Sequence, residues 1–362
     1  MLACIAKLDY VLTDDVSDEL DIFQSRLRRL RRNCNKYFAH LGRDAHANKY
    51  QASVSKNLKP HQVKLSVDYM MKYKYGEAEE KGSDHFGKKS ASMCGVHFVR
   101  LPENATDPNI REETFMNLWS ADSEQNWYKY VVDLFRAMKQ YKASNPSITE
   151  AYLFTDGAPN LTGAPVLLMM MEAEAYTGIR ILELNNNEGG EGKQILDTYF
   201  SHLKAKAEIS KIWFRNWDDV PSLVELFNFR GGAQGGTSMQ LEPDRSVEPP
   251  AKKNVGKAMK DRSTYLCTVF NYTPASNIAV SITSFENAHI GVGRLTVYAD
   301  VKNSIETQDA AGQTSWSEFR KMLPEMIEPK DTDSAPLTSR LQPLEKPAKA
   351  AWGGEQEKTA RR

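Results

Sequence analysis

Three aspartates in this chain stand where a carboxylate could do chemistry. Asp68 lies within Val-Lys-Leu-Ser-Val-Asp-Tyr, residues 63–69, an alternating, β-branched run that reads as a strand. A carboxylate inside such a strand is costly unless it is solvated, paired or bound to a metal. Asp156 closes a second apolar run, Ala-Tyr-Leu-Phe-Thr at 151–155, and opens the turn Asp156-Gly157-Ala158-Pro159-Asn160. Asp197 lies one turn into a helix that follows a glycine-rich loop, residues 185–192. Hard divalent cations take oxygen ligands of this kind, and Mg²⁺ keeps waters and substrate phosphate in its shell. Two such ions about 3.5–4 Å apart activate the attacking oxygen and stabilise the leaving one in phosphodiester cleavage. Each position also has a plainer reading, since aspartate at a strand end is a common turn former and aspartate at a helix start complements the dipole.

The elements that must position these residues follow from periodicity. Strands are expected over 63–69, 95–101, 151–155 and 179–184, with a hairpin and connecting strand between residues 76 and 92. An amphipathic helix over 124–141 carries Trp127, Tyr130, Val131, Leu134, Phe135 and Met138 on one face and ends at Asn145-Pro146. A second helix spans 164–176, with Pro165 in its first turn and Gly178 as its stop. A third spans 193–209, with Ile195, Leu196, Tyr199, Phe200 and Leu203 along it. Upstream, residues 15–41 read as a helix capped by Asp14 or Ser17 and stopped at Gly42. It carries the run Arg-Leu-Arg-Arg-Leu-Arg-Arg at 26–32, either a solvated face or, through Arg28 and Arg29, a phosphate-contacting one. Downstream, 220–229 reads as a helix, 265–272, 278–284 and 294–299 as strands, and 317–323 as a short helix.

The order strand with Asp, hairpin, helix, strand ending in Asp, helix, strand, helix with Asp resembles the topology of the ribonuclease H-like fold. Two adjacent strands and one helix bring three carboxylates together in that fold, so Asp68 and Asp156 are expected on neighbouring strands. The motifs resemble those of a transposase-derived family in the DDE-type, ribonuclease H-like group. Val67-Asp68-Tyr69-Met70, Glu77 and Ser83-Asp84-His85-Phe86 resemble its first acidic segment. Thr155-Asp156-Gly157-Ala158-Pro159-Asn160 resembles its second block, and Gly192-Lys193-x-x-x-Asp197 followed by Lys204 its third. His40 and Gln51 sit where the family often has His and Gln. The likeness runs from about residue 38 to 211. It implies an enzyme that hydrolyses or transfers DNA phosphodiester bonds with Mg²⁺ or Mn²⁺ held by Asp68, Asp156 and Asp197. Lys193, Lys204 and Asn160 would meet backbone phosphate.

The third block departs from the family pattern. Gly190-Glu191-Gly192-Lys193 replaces His-Gly-Lys, Gln194-Ile195-Leu196 replaces Gly-Pro-Cys, and Thr198-Tyr199-Phe200-Ser201 replaces the glycines after the acid. Glu188 and Glu191 are therefore alternates for the third ligand. The rival reading is a catalytically inactive, transposon-derived module that binds DNA or protein. No zinc finger or helix-turn-helix precedes the first strand, so a fragment or a remnant kept for another use is expected. A weaker reading, an unrelated α/β nucleotide-binding protein, rests on Gly189-Gly190-x-Gly192-Lys193, which lacks the Ser/Thr and full glycine spacing of a phosphate loop. Cys94-x-x-His97 has no second pair and reads as a strand with a buried cysteine. His202 is a surface or packing residue, or a proton-transfer partner for Asp197.

Composition bounds these readings. The chain has 362 residues, 41% of them hydrophobic, enough for a core but short of covering the whole chain. Lys and Arg number 47 against 47 Asp and Glu, so net charge does not advertise a nucleic-acid partner. No apolar run approaches membrane-spanning length and no signal peptide is evident, so membrane and secretion are excluded and nucleus or cytoplasm is expected. Four scattered cysteines give no disulfide framework. The expected class is α/β (α+β): a helical region over 1–60, a ribonuclease H-like mixed sheet flanked by helices over 61–230, a linker over 231–262, a small β-rich region over 263–327 and a disordered tail over 328–362. DNA is the expected partner, and a homo-oligomer stays open.

Overall fold

A computed structural model describes residues 18–77, 90–156 except 108 and 123, 164–187, 194–211, 216–241 except 218, 265–271, 279–284, 291–297 and 316–328. The chain divides into two compact units, Met1–Ser53 and Val54–Arg362. The first is dominated by one long helix, α1 (Asp18–Lys56), whose end crosses the boundary. The expected stop at Gly42 is not used. One glycine costs a helix only about 1 kcal/mol relative to alanine, and the residues that follow it sustain the helix as far as Lys56, before Pro60.

The second unit is built on β1 (Gln62–Lys74), β2 (Gly76–Glu77), β3 (Ser90–Arg100), β4 (Glu112–Ser120), α2 (Trp127–Ser144), β5 (Glu150–Asp156), α3 (Ala164–Thr177), β6 (Arg180–Asn187), α4 (Gln194–Lys211), β7 (Asn216–Trp217), α5 (Val220–Asn228), β8 (Thr237–Gln240), β9 (Tyr265–Asn271), β10 (Ala279–Ser284), β11 (Gly291–Val297) and α6 (Trp316–Ile327). Nine of these strands form one mixed sheet in the order β11-β10-β9-β6-β5-β1-β3-β4-β8. β1, β3 and β4 form an antiparallel meander, and β5 and β6 run parallel to β1 and to each other. The four strands expected around the aspartates all lie in this sheet.

Helices cover both faces. On one, α2, α3 and α6 enclose a core that includes Val63, Leu65, Val67, Val96, Phe98, Leu134, Met169 and Phe319. On the other, α4 and α5 pack Leu196, Tyr199, Phe200, Leu203 and Phe227 against Met70, Met93, Phe115 and Trp119. The period-two alternation of β1 explains the split, because successive side chains point to opposite faces. α2 begins at Asn126, whose side chain accepts from the Lys129 N–H at 2.9 Å. α5 has a reciprocal cap, with Asp219 and Ser222 each bonding the other's backbone, and Pro221 in its first turn.

The C-terminal half differs from expectation. β4 was not anticipated; Asn117 interrupts an otherwise apolar run, and its two leading glutamates disguise the strand. The expected linker begins later than residue 231, since β8 extends the sheet by pairing parallel to β4, with Met116 opposite Thr237 and Trp119 opposite Gln240. Its anchor is Asn228, which donates to the Ser238 carbonyl and accepts from the Ser238 N–H, both at 2.7 Å. β9 pairs antiparallel with β6, so the β-rich region continues the main sheet. The last helix is longer than expected and crosses Pro324. It is held by Phe319 against Trp127 and Tyr128, and by a two-pronged ion pair from Arg320 to Glu172 on α3. The remaining linker, 242–262, and the tail beyond Glu328 lie outside the described residues. No described helix is long and apolar enough to cross a membrane.

Candidate functional site

The parallel pairing of β1 and β5 runs from Gln62 opposite Glu150 to Val67 opposite Thr155, an offset of 88 residues throughout. Asp68 and Asp156 share that offset, one step beyond the last ladder pair: Asp156 ends β5, while Asp68 stands midway along β1, where its parallel ladder with β5 stops. In-register neighbours on parallel strands face the same side of a sheet. Asp68 is buried, and one of its carboxylate oxygens accepts from the Tyr69 N–H at 2.8 Å. The side chain of Asp156 is outside the described set.

Across the sheet Asp68 pairs with Gly95 on β3. A Cβ built at Gly95 would lie 2.5 Å from Cε1 of Phe200 and 3.6 Å from Cδ2 of Leu196. The glycine is thus what lets α4 seat its first turns against the strand beside Asp68. Asp197 follows Leu196 in that first turn, but its side chain is exposed. Ser201 donates to the Asp197 carbonyl at 2.9 Å, bracing the backbone of this turn. A second anchor is Asn117 on β4, which donates to the Tyr199 hydroxyl at 2.7 Å and to Ser238 at 3.2 Å. Burial pushes the Tyr199 hydroxyl up to about 12, so it stays protonated.

Behind Asp68, on the opposite face, lies a buried polar cluster that sequence reasoning missed. Lys129 donates to Asp133 at 2.7 Å and the Tyr69 hydroxyl donates to the same oxygen at 2.9 Å. Both charged side chains are essentially without exposure, at 1% and 0%. An i, i+4 pair of opposite charges, Lys129 and Asp133, among the apolar residues of the helix's first half was the available signal. Burial, then Asp133, raise the Tyr69 hydroxyl well above its ordinary range, and burial, then Asp133 and in part Asp68, do the same to the Cys94 thiol. Cys94 belongs to the α2 face, whereas His97 stacks on Phe115 beneath α4, so the two cannot share a metal.

Other expected site residues scatter. Asn160, Glu188, Glu191 and Lys193 lie outside the described residues. Lys204 is half-buried on α4. His202 is exposed and bonds Gln234 through Nδ1 at 2.7 Å, which gives it a partner other than Asp197. Arg28 and Arg29 are exposed on α1, in the first unit, and Arg28 donates to Gln24 at 3.2 Å. His40 and Gln51 also fall on α1. Among the described residues no three His, Cys, Asp or Glu side chains gather closely enough to hold a metal ion. The arrangement therefore offers one buried carboxylate, a second at the matching strand position and a third carried by the adjoining helix turn. Comparison with known proteins found no family model that matches the chain and no characterised protein that matches it significantly.

Proposed function

We propose that this is a transposase-like protein with a ribonuclease H-like domain, acting on DNA phosphodiester bonds. The observation that carries the reading is the shared register of Asp68 and Asp156 on adjacent parallel strands, at the point where the β1–β5 ladder ends. The central order β4-β3-β1-β5-β6 supports it, with three antiparallel strands followed by two parallel ones and with helices after β4, β5 and β6. So does the resemblance of the segments around the three aspartates to a DDE-type family.

The residues suit a hard cation in part. Asp68 has one oxygen tied to the Tyr69 backbone and stands on β1 beside a second carboxylate position on β5. Mg²⁺ or Mn²⁺ would be held by Asp68 and Asp156, with Asp197, Glu188 or Glu191 as third ligand, and would supply charge stabilisation for the attacking and leaving oxygens. The chain's own part is to hold the carboxylates in register and to present Lys204, Lys193 and Asn160 to phosphate. Arg28 and Arg29 on α1 would add sequence-independent backbone contacts.

The exposed side chain of Asp197 and the altered third block favour a second reading, a catalytically inactive module that binds DNA or protein. Calorimetric titration with Mn²⁺ separates the two. The first reading expects binding and a raised Tm in wild type, both lost in Asp68→Asn and Asp156→Asn, together with Mn²⁺-dependent nicking of plasmid DNA. Loss in Asp197→Asn, Glu188→Gln or Glu191→Gln identifies the third ligand. A wild-type protein indifferent to Mn²⁺ overturns the first reading and leaves the second.

A further inference from the structure

The buried cluster of Lys129, Asp133 and Tyr69 is a costly filling for a core. A desolvated ion pair rarely outweighs an apolar replacement of the same volume, so the cluster adds little stability of its own. Its place in the sheet distinguishes it. Tyr69 follows Asp68 directly on β1, so their Cα atoms are about 3.8 Å apart and their side chains leave opposite faces.

The support of β1 narrows at this point. Its ladder with β5 ends at Val67 opposite Thr155, and its ladder with β3 becomes irregular between Met70 and Tyr73. Between these two places, Asp68 and Tyr69 are laddered to β3 through Gly95 and Cys94. Helix α2 grips the strand here. The Tyr69 hydroxyl donates to Asp133 at 2.9 Å, Lys129 donates to the same oxygen at 2.7 Å, and Lys129 Nζ lies 5.7 Å from the centre of the Tyr69 ring. The next residue of α2, Tyr130, brings its buried hydroxyl beside Thr155, the residue before Asp156. One helix thus reaches the residue after one candidate ligand and the residue before the other.

We propose that Tyr69 is a positioning residue for the candidate metal site, its hydroxyl bond to Asp133 fixing β1 where the Asp68 carboxylate must meet a divalent cation. This inference rests on the proposed function. Mg²⁺ demands near-ideal ligand geometry, so a small displacement of a carboxylate weakens binding. Losing an outer partner that orients a ligand costs about 10–100-fold in metal affinity. The effect is one of position, because Lys129 and Asp133 carry opposite charges in contact and Tyr69→Phe changes no charge.

Calorimetric titration of the full chain with Mn²⁺ tests this. Tyr69→Phe should bind at least about 10-fold more weakly than wild type, with little change in Tm. Two double variants remove the ion pair as a unit. Lys129→Met with Asp133→Asn keeps an acceptor for the Tyr69 hydroxyl and should bind as tightly as wild type. Lys129→Met with Asp133→Leu removes that acceptor and should bind as weakly as Tyr69→Phe, although its apolar pair makes it the more stable of the two doubles. A purely structural cluster would instead make affinity follow stability. Equal affinity in wild type and Tyr69→Phe would overturn the inference and leave the proposed function standing. A wild type that does not bind Mn²⁺ would overturn both.

Discussion

Gly95 and Phe200 meet where no side chain other than hydrogen fits at position 95: a Cβ there would come within 2.8 Å of two ring atoms. This contact seats α4 on β3 opposite Asp68 and so fixes where the first turn of α4 lies. Gly95→Ala should therefore cost about 1–3 kcal/mol of stability through overpacking, although alanine is the better strand residue. Urea unfolding measures it, and a neutral substitution would mean that α4 is not seated there.

The Lys129–Asp133 pair is dry and shares its oxygen with Tyr69. Removing one partner leaves the other charge buried, so Lys129→Met should cost about 3–5 kcal/mol. Replacing the cluster with Tyr69→Phe, Lys129→Met and Asp133→Leu together should recover most of that loss. Chemical denaturation of the single and triple variants checks it; equal destabilisation of both would show that packing, not charge, dominates.

Lys64 offers a pH signature. Burial lowers its ammonium to about 8, opposed by the nearby Glu113 carboxylate. Its ordinary value is 10.5, so the unfolded chain holds the proton more tightly than the folded one. Stability from this group is thus least below about pH 8 and rises between about 8 and 10.5. Lys64→Met should be more stable than wild type at pH 7, by roughly 2–3 kcal/mol, with the gap closing toward pH 10.5. Unfolding curves across that range give the difference directly.

The Cys94 thiol is held protonated by burial and by Asp133. A thiol in that state is a poor nucleophile. Iodoacetamide at pH 8 should leave Cys94 unmodified in the native protein and label it on addition of denaturant, as followed by peptide mass spectrometry. Rapid native labelling would show that this face of the sheet opens locally.

The sequence carried the parts of the fold that local patterning specifies. The alternation of residues 63–69 and the apolar run at 151–155 placed two aspartates at matching strand positions, and the expectation of adjacent strands agrees with the β1–β5 pairing. Long-range pairings were not legible. Nothing within residues 237–240 tells that they join Met116–Trp119, because the determinant is Asn228 reaching back from the preceding helix. The buried lysine and aspartate of α2 were hidden for a related reason, since charged residues on a helix read as solvent-facing until the sheet behind them is known. Gly42 misled because a single glycine weakens a helix without ending it.

The short strand β8 has a consequence for how this chain can be shortened. Without it, β4 would present the backbone amides and carbonyls of Met116–Trp119 along a row of large apolar residues, an open template for another strand. Leu241 closes that row by donating its N–H to the Trp119 carbonyl at 2.8 Å. A shortened form cut before residue 236 would keep every candidate metal ligand, yet expose an adhesive border and go into inclusion bodies. The same cut placed after residue 241 would leave this border covered.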